Sequence, residues 1–130
     1  MELPPRSGPN SPPALPPGQA AERAAALFLA RQGFRLVAAN YRSRHGEIDL
    51  VACKGRLLLF VEVRLRRHRD YGGAAASVTP RKQQKIIATA GAFLHHHPGF
   101  SRFDCRFDVI ALQASESGWQ LEWIPSAFTT

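Results

Sequence analysis

Read by the spacing of apolar and polar positions, the chain resolves into seven regular segments. Gln19 to Gln32 is Ala-rich, with Phe28 and Leu29 near its far end and Gly33 placed where a left-handed cap stops a helix. That pattern predicts a first helix. Phe34 to Ala39 is a short apolar run suited to a strand, and Asn40 to Gly46 (NYRSRHG) reads as a basic turn or strand end. EIDLVAC and RLLLFVEVRLR follow as two strand-like segments around a glycine turn at Lys54, Gly55 and Arg56, which predicts a hairpin. His68 to Val78 has no periodicity and reads as a loop. Thr79-Pro80 is an N-cap followed by proline at the first helical position, so a second helix starts there and stops before Pro98-Gly99. Its inward stripe is Ile86, Ile87, Ala90, Phe93 and Leu94, with Arg81, Lys82 and Lys85 left outside. Phe103, Cys105, Phe107 and Val109 alternate with Arg102, Asp104, Arg106 and Asp108 as a half-buried strand does, and Trp119 to Ile124 suggests a last one. The order α-β-β-β-α-β-β has no internal repeat and predicts an α/β fold.

The hairpin fixes which charges can meet. With Gly55-Arg56 as the turn, Asp49 lies directly opposite Glu62 and Glu47 opposite Arg64; with Lys54-Gly55 as the turn, all four still share one face. Only a three-residue turn without a compensating bulge separates them. Cross-strand neighbours bring Cβ atoms within about 5 Å, and like charges held there repel, so a cation is expected between the two acids. Hard ions such as Mg²⁺ or Mn²⁺ take carboxylate and carbonyl oxygens, which makes Asp49, Glu62 and the carbonyl of Val63 a candidate metal site able to activate water against a phosphodiester. The same charges also fit an ordinary ion-pair network closed by Arg64. Placement favours chemistry: the face carrying Leu58 and Phe60 is apolar near the turn and charged only at the far end. The other face (Ile48, Leu50, Ala52, Leu57, Leu59, Val61, Val63) is wholly apolar, so the sheet should be covered on both sides.

Composition narrows the classes. At 130 residues, with seven of ten prolines in the first seventeen, the chain is expected to hold a Pro-rich tail (1–17), one domain (18–124) and a short C-terminal tail (125–130). The longest apolar run, Ala24 to Ala30, is far below the roughly twenty residues that span a bilayer, and the N-terminus lacks a secretory pattern, so a cytoplasmic protein without a membrane partner is expected. Cys53 and Cys105 have no metal-ligand spacing and read as reduced small hydrophobes on strands. Seventeen Lys and Arg against ten Asp and Glu give a formal net charge of +7, and fourteen of the seventeen are Arg. Guanidinium forks grip phosphate in two places, so a nucleic acid, with DNA favoured, is the expected partner. A basic dock for an acidic protein or anionic membrane surface is the least supported reading.

The residues also carry a resemblance. The acid-then-EVR arrangement resembles the PD-(D/E)xK nuclease pattern. The wider series AERAA, NYRSRHGEIDLVA, FVEVRLR, YGGAAASVTPRKQQK and RFDV resembles the small bacterial YraN-like family over most of residues 18 to 112. The resemblance implies a restriction endonuclease-like fold, similar to archaeal Holliday junction resolvases, with an αβββαβ core. It carries Glu22 onto the helix-one glutamate, Asp49 and Glu62 onto the two acids, and Gln83 onto a polar residue that approaches the site from the second helix. Where that pattern has lysine this chain has Arg64, which cannot accept a proton but can orient water or stabilise a charged transition state. A DNA-binding protein of the same fold that no longer cuts is therefore the alternative.

Arg42 and Arg44 with His45, then Arg64, Arg66, Arg67 and Arg69, then Arg81, Lys82 and Lys85, flank the acids in sequence and are expected to contact phosphates without reading bases. Tyr41 and Tyr71 fit either base stacking or packing. Asp108 suits a backbone anchor and stays outside the catalytic set. The run His95-His96-His97 points in three directions on a helix, so an interaction with the helix C-terminus is expected in place of a metal site. Resolvase-like proteins often pair, so a homodimer is an open expectation.

Overall fold

The computed structural model describes residues 15–66 and 78–130. Residues 1–14 of the expected tail and all of the 68–78 loop except Val78 lie outside the described residues, together with Arg67, Arg69 and Tyr71. Helix α1 (Pro17–Arg31) begins on a proline, whose fixed φ and missing N–H suit a first turn, so Pro17 belongs to the helix and not to the tail. It ends as Gly33 predicts. Gly33 has φ of +91°, its N–H reaches the Ala30 carbonyl and that of Phe34 reaches Leu29, both at 3.0 Å, while Phe34 packs in the same apolar cluster as Leu29.

Strands β1 (Arg35–Ser43), β2 (Gly46–Lys54) and β3 (Leu57–Leu65) form an antiparallel meander. The chain then reaches helix α2 (Pro80–His96), a short 3₁₀ turn (Pro98–Phe100), β4 (Asp104–Ser115) and β5 (Gly118–Phe128). The sheet order is β1-β2-β3-β4-β5, with β3 and β4 parallel because α2 carries the chain back between them. The order, the mixed sheet and the two flanking helices are those the sequence predicts.

Each helix covers one face. Ala21, Ala25 and Leu29 of α1 pack on Leu50, Ala52, Leu59, Val61, Ile110 and Leu112. Ile86, Ala90 and Phe93 of α2 pack on Val51, Cys53, Leu58, Phe60, Phe107 and Val109. Strand β3, roofed and floored, is apolar along nearly its whole length, as a doubly covered strand must be. Thr79 caps α2 by accepting the Lys82 N–H at 3.2 Å.

Three expectations are corrected. Residues 125–130 are no loose tail: β5 runs to Phe128, which is buried and stacks on Phe107 at 5.1 Å. The apolar pattern hides this because Pro125 and Ser126 interrupt it. Cys105 is exposed, and only Cys53 behaves as a core hydrophobe; both thiols are free. Ile48 does not share a face with Leu50. It packs with Val51 on the α2 side, although residues three apart in a regular strand face opposite ways. Tyr41 on β1 likewise joins Ala38 on that side. One alternation is lost in each strand between the pairs Ala39↔Leu50 and Tyr41↔Ile48, at Asn40 and Asp49, and Asn40 has φ of +53°. Both strands change faces at the same rung.

Candidate metal and phosphate site

The turn is Gly55-Arg56, with Gly55 at φ of +58°, and Lys54 pairs with Leu57. Glycine at the first central position of a two-residue turn suits the backbone twist of a hairpin. From that closing pair the ladder alternates to Leu50↔Val61 and stops. The next rung would set Asp49 against Glu62 at a non-hydrogen-bonded position, where facing side chains come closest. Instead of continuing the ladder, β2 turns aside, and the Asp49 carboxylate takes the Val63 N–H at 2.7 Å. A residue's N–H and C=O leave a strand on the same side, so the Val63 carbonyl also faces this opening.

The two carboxyls are within hydrogen-bond reach of each other even though the ladder has ended. Burial, first, and then the neighbouring Glu62 push Asp49 up to about 8, against the opposing pull of the Val63 N–H and the Lys82 charge. At neutral pH Asp49 therefore keeps its proton. Glu62 is only 8% exposed, and its Oε2 receives Lys82 Nζ at 3.1 Å. Lys82 was expected to stay outside on α2; its ammonium instead reaches inward to Glu62, with the side chain as a whole only partly exposed.

Glu22 comes to the same place from the other layer. Half-buried on α1, it hydrogen-bonds the side chain of Asn40, and burial together with the charges of Asp49 and Glu47 raises its pKa. The face exchange at Asn40 and Asp49 is what lets one carboxylate lie within reach of both α1 and α2. Neither Asn40 nor the Lys82 contact is marked by apolar spacing; an asparagine between strand residues hints at a left-handed kink only in hindsight. Glu47, expected beside Asp49 on the Arg64 side, is held by Arg42 at 3.3 Å across the β1–β2 hairpin.

The remaining candidates separate. Gln83 donates Nε2 to the Val78 carbonyl at 2.9 Å, a hydrogen bond at the N-terminal end of α2. Arg64 is half-buried on β3, next along the strand from Val63. Arg66 turns away, to Glu122 of β5 at 3.0 Å. Arg44, Arg81 and Lys85 are exposed. The hairpin that carries Arg44 rests on α2 at Gly46: with φ of +153°, a side chain there would press within 3.4 Å of the Thr89 hydroxyl. That contact sets the β1–β2 hairpin against the second and third turns of α2, at Lys85 and Thr89. Tyr41 packs edge-on to Phe93 at 5.1 Å, which makes it a packing residue. His96 and His97 set Nδ1 against the carbonyls of Ala92 and Phe93 at 2.8 and 2.9 Å, ending the helix as expected.

Among the described residues no group of three or more His, Cys, Asp or Glu side chains is placed so that it could hold a metal ion. The donor set available is thus two carboxylates and one backbone carbonyl. That set suits Mg²⁺ or Mn²⁺, which are commonly held by one or two carboxylates and complete their shell with water and substrate oxygens. No helix among the described residues is long and apolar enough to cross a membrane.

Residues 21–112 match the family model described as "Uncharacterised protein family UPF0102". The chain is 50% identical over 112 residues to the UPF0102 protein YraN of Escherichia coli K12, covering 85% of this chain and 82% of that protein. It is 46% identical to a UPF0102 protein of Pseudomonas syringae and 45% identical to one of Pseudomonas putida, in each case over 85% of this chain and 91% of the relative.

Proposed function

The chain belongs to the UPF0102 family, and from that premise and the paired carboxylates we propose that it is a Mg²⁺- or Mn²⁺-dependent endonuclease acting on branched or otherwise structured DNA. The observation that carries this reading is the meeting of Asp49 and Glu62 where β2 leaves β3. Asp49, Glu62 and the Val63 carbonyl hold the metal. The bound ion supplies a polarised water and a positive charge at the scissile phosphate. Arg64, next on the strand, stabilises charge that develops on the phosphate oxygens. Arg44, Arg81 and Lys85 bind neighbouring phosphates and set the strand across the opening, a contact that positions backbone without reading sequence. Glu22 and Asn40 hold the rung of the sheet that carries Asp49.

Arg64 in place of lysine, together with the ammonium already seated on Glu62, favours a second reading in which the same face binds DNA without cutting it. The two separate in a cleavage assay on junction, flap and duplex DNA with Mg²⁺ and Mn²⁺. We expect metal-dependent cleavage of the junction by the wild type and none by Asp49→Asn. Binding that falls steeply with salt and no cleavage under any metal supports the second reading. If Arg64→Lys alone switches cleavage on, the missing strand lysine is the reason for the silence.

A further inference from the structure

We propose that Lys82 is a resident counter-ion of this site: its ammonium holds the place on Glu62 that a divalent cation takes, and metal loading moves it off the carboxylate towards the substrate phosphate. The inference rests on the metal-site reading above.

Its basis is the asymmetry of one ion pair. Lys82 Nζ lies 3.1 Å from Glu62 Oε2, yet the lysine side chain is 41% exposed while the glutamate is 8% exposed. The carboxylate is fixed on a central strand under packed neighbours; the lysine reaches it from the first turn of a helix on a flexible four-carbon stem. One partner is free to leave and the other is not. The Lys82 charge also acts on Asp49, drawing its pKa down against the larger effects of burial and Glu62, so one ammonium lies within reach of both acids. A divalent ion between the same oxygens would compete with it directly, since a second cation at that distance is repelled.

The departure has a direction. The first turns of α2 present Arg81 and Lys85 on either side of Lys82, with no acidic residue to receive it. Released from Glu62, the ammonium joins these cations at the positive end of the helix, where an anion is most favoured. Metal and DNA backbone would therefore assist one another: the first frees the charge that the second uses.

The test is titration of the full chain with Mn²⁺ alone, followed by calorimetry or by the loss of the free-ion paramagnetic signal. The proteins are the wild type, Lys82→Met, Lys82→Arg and Asp49→Asn. Removing the competing charge should tighten Mn²⁺ binding by about tenfold in Lys82→Met, while Lys82→Arg, which keeps the charge, stays near the wild type. In the same proteins saturated with Mn²⁺, Lys82→Met should bind DNA more weakly than the wild type. Equal or weaker Mn²⁺ affinity in Lys82→Met, with binding still lost in Asp49→Asn, overturns the counter-ion role and leaves the metal site standing. Absence of Mn²⁺ binding in all four overturns both.

Discussion

A carboxyl that keeps its proton to about pH 8 makes folding depend on pH in a defined direction. Asp49 is raised from 3.8 to about 8 by burial and by Glu62, so between those values the folded chain binds a proton that the unfolded chain has released. The stability this supplies is fullest below the ordinary carboxylate pKa and is lost as pH rises through about 8. Asparagine keeps both hydrogen bonds without the titration: its oxygen accepts from Val63 and its amide donates to Glu62. In chelator, Asp49→Asn should therefore flatten the decline and exceed the wild type by about 1–3 kcal/mol near pH 8.5. Thermal melts near pH 5 and pH 8.5 check this; parallel declines in the two proteins would place the titration elsewhere. The same substitution removes the proposed activity, so stability and function oppose each other at one atom.

At the level of elements, β5 is fastened to β4 by one buried group. Asp108 is fully buried and accepts Arg106 Nε and Nη2 at 2.9 Å, Trp123 Nε1 at 2.9 Å and the Ser126 N–H at 3.0 Å. Arg106 in turn lies over the Trp123 ring. Asp108→Ala strands the guanidinium and two N–H donors, and should cost about 3–5 kcal/mol in urea unfolding, while Mn²⁺ binding at Asp49 and Glu62 is kept in the folded fraction. Elements were the most legible part of the sequence. Pro80 and Gly33 punctuate the helices, and the Gly55 turn fixes hairpin parity, which is enough to face Asp49 with Glu62. What spacing could not show depends on a break in spacing. The alternation rule that placed Ile48 beside Leu50 assumes a regular strand, and Asn40 and Asp49 interrupt that strand. Lys82 was out of reach for a different reason: its partner lies on another element, and only the docking of α2 brings the two together.

Over the whole molecule, charge is arranged against stability. α2 starts with Arg81, Lys82 and Lys85 at the positive end of its dipole and no acid in the first turn, each cation costing about 0.3–1 kcal/mol at low salt. Glu62 relieves one of them, and an anionic polymer would relieve the rest. With Arg44, Arg81 and Lys85 as the phosphate contacts, three released counter-ions predict that DNA affinity falls roughly fortyfold between 50 and 200 mM salt. Fluorescence anisotropy across that range measures the slope. A flat response would remove the polyanion from the account and leave the net charge of +7 without that explanation.

The missing rung beyond Leu50 and Val61 has a mechanical meaning. Below it the two strands are stitched by the ladder; above it the Asp49 carboxylate on the Val63 N–H ties β2 to β3. The gap between the acids lies on the stretch of the β2–β3 seam beyond the last paired rung, while β2 stays laddered to β1 and β3 to β4 on either side of it. The width available to an ion is set along that unstitched stretch.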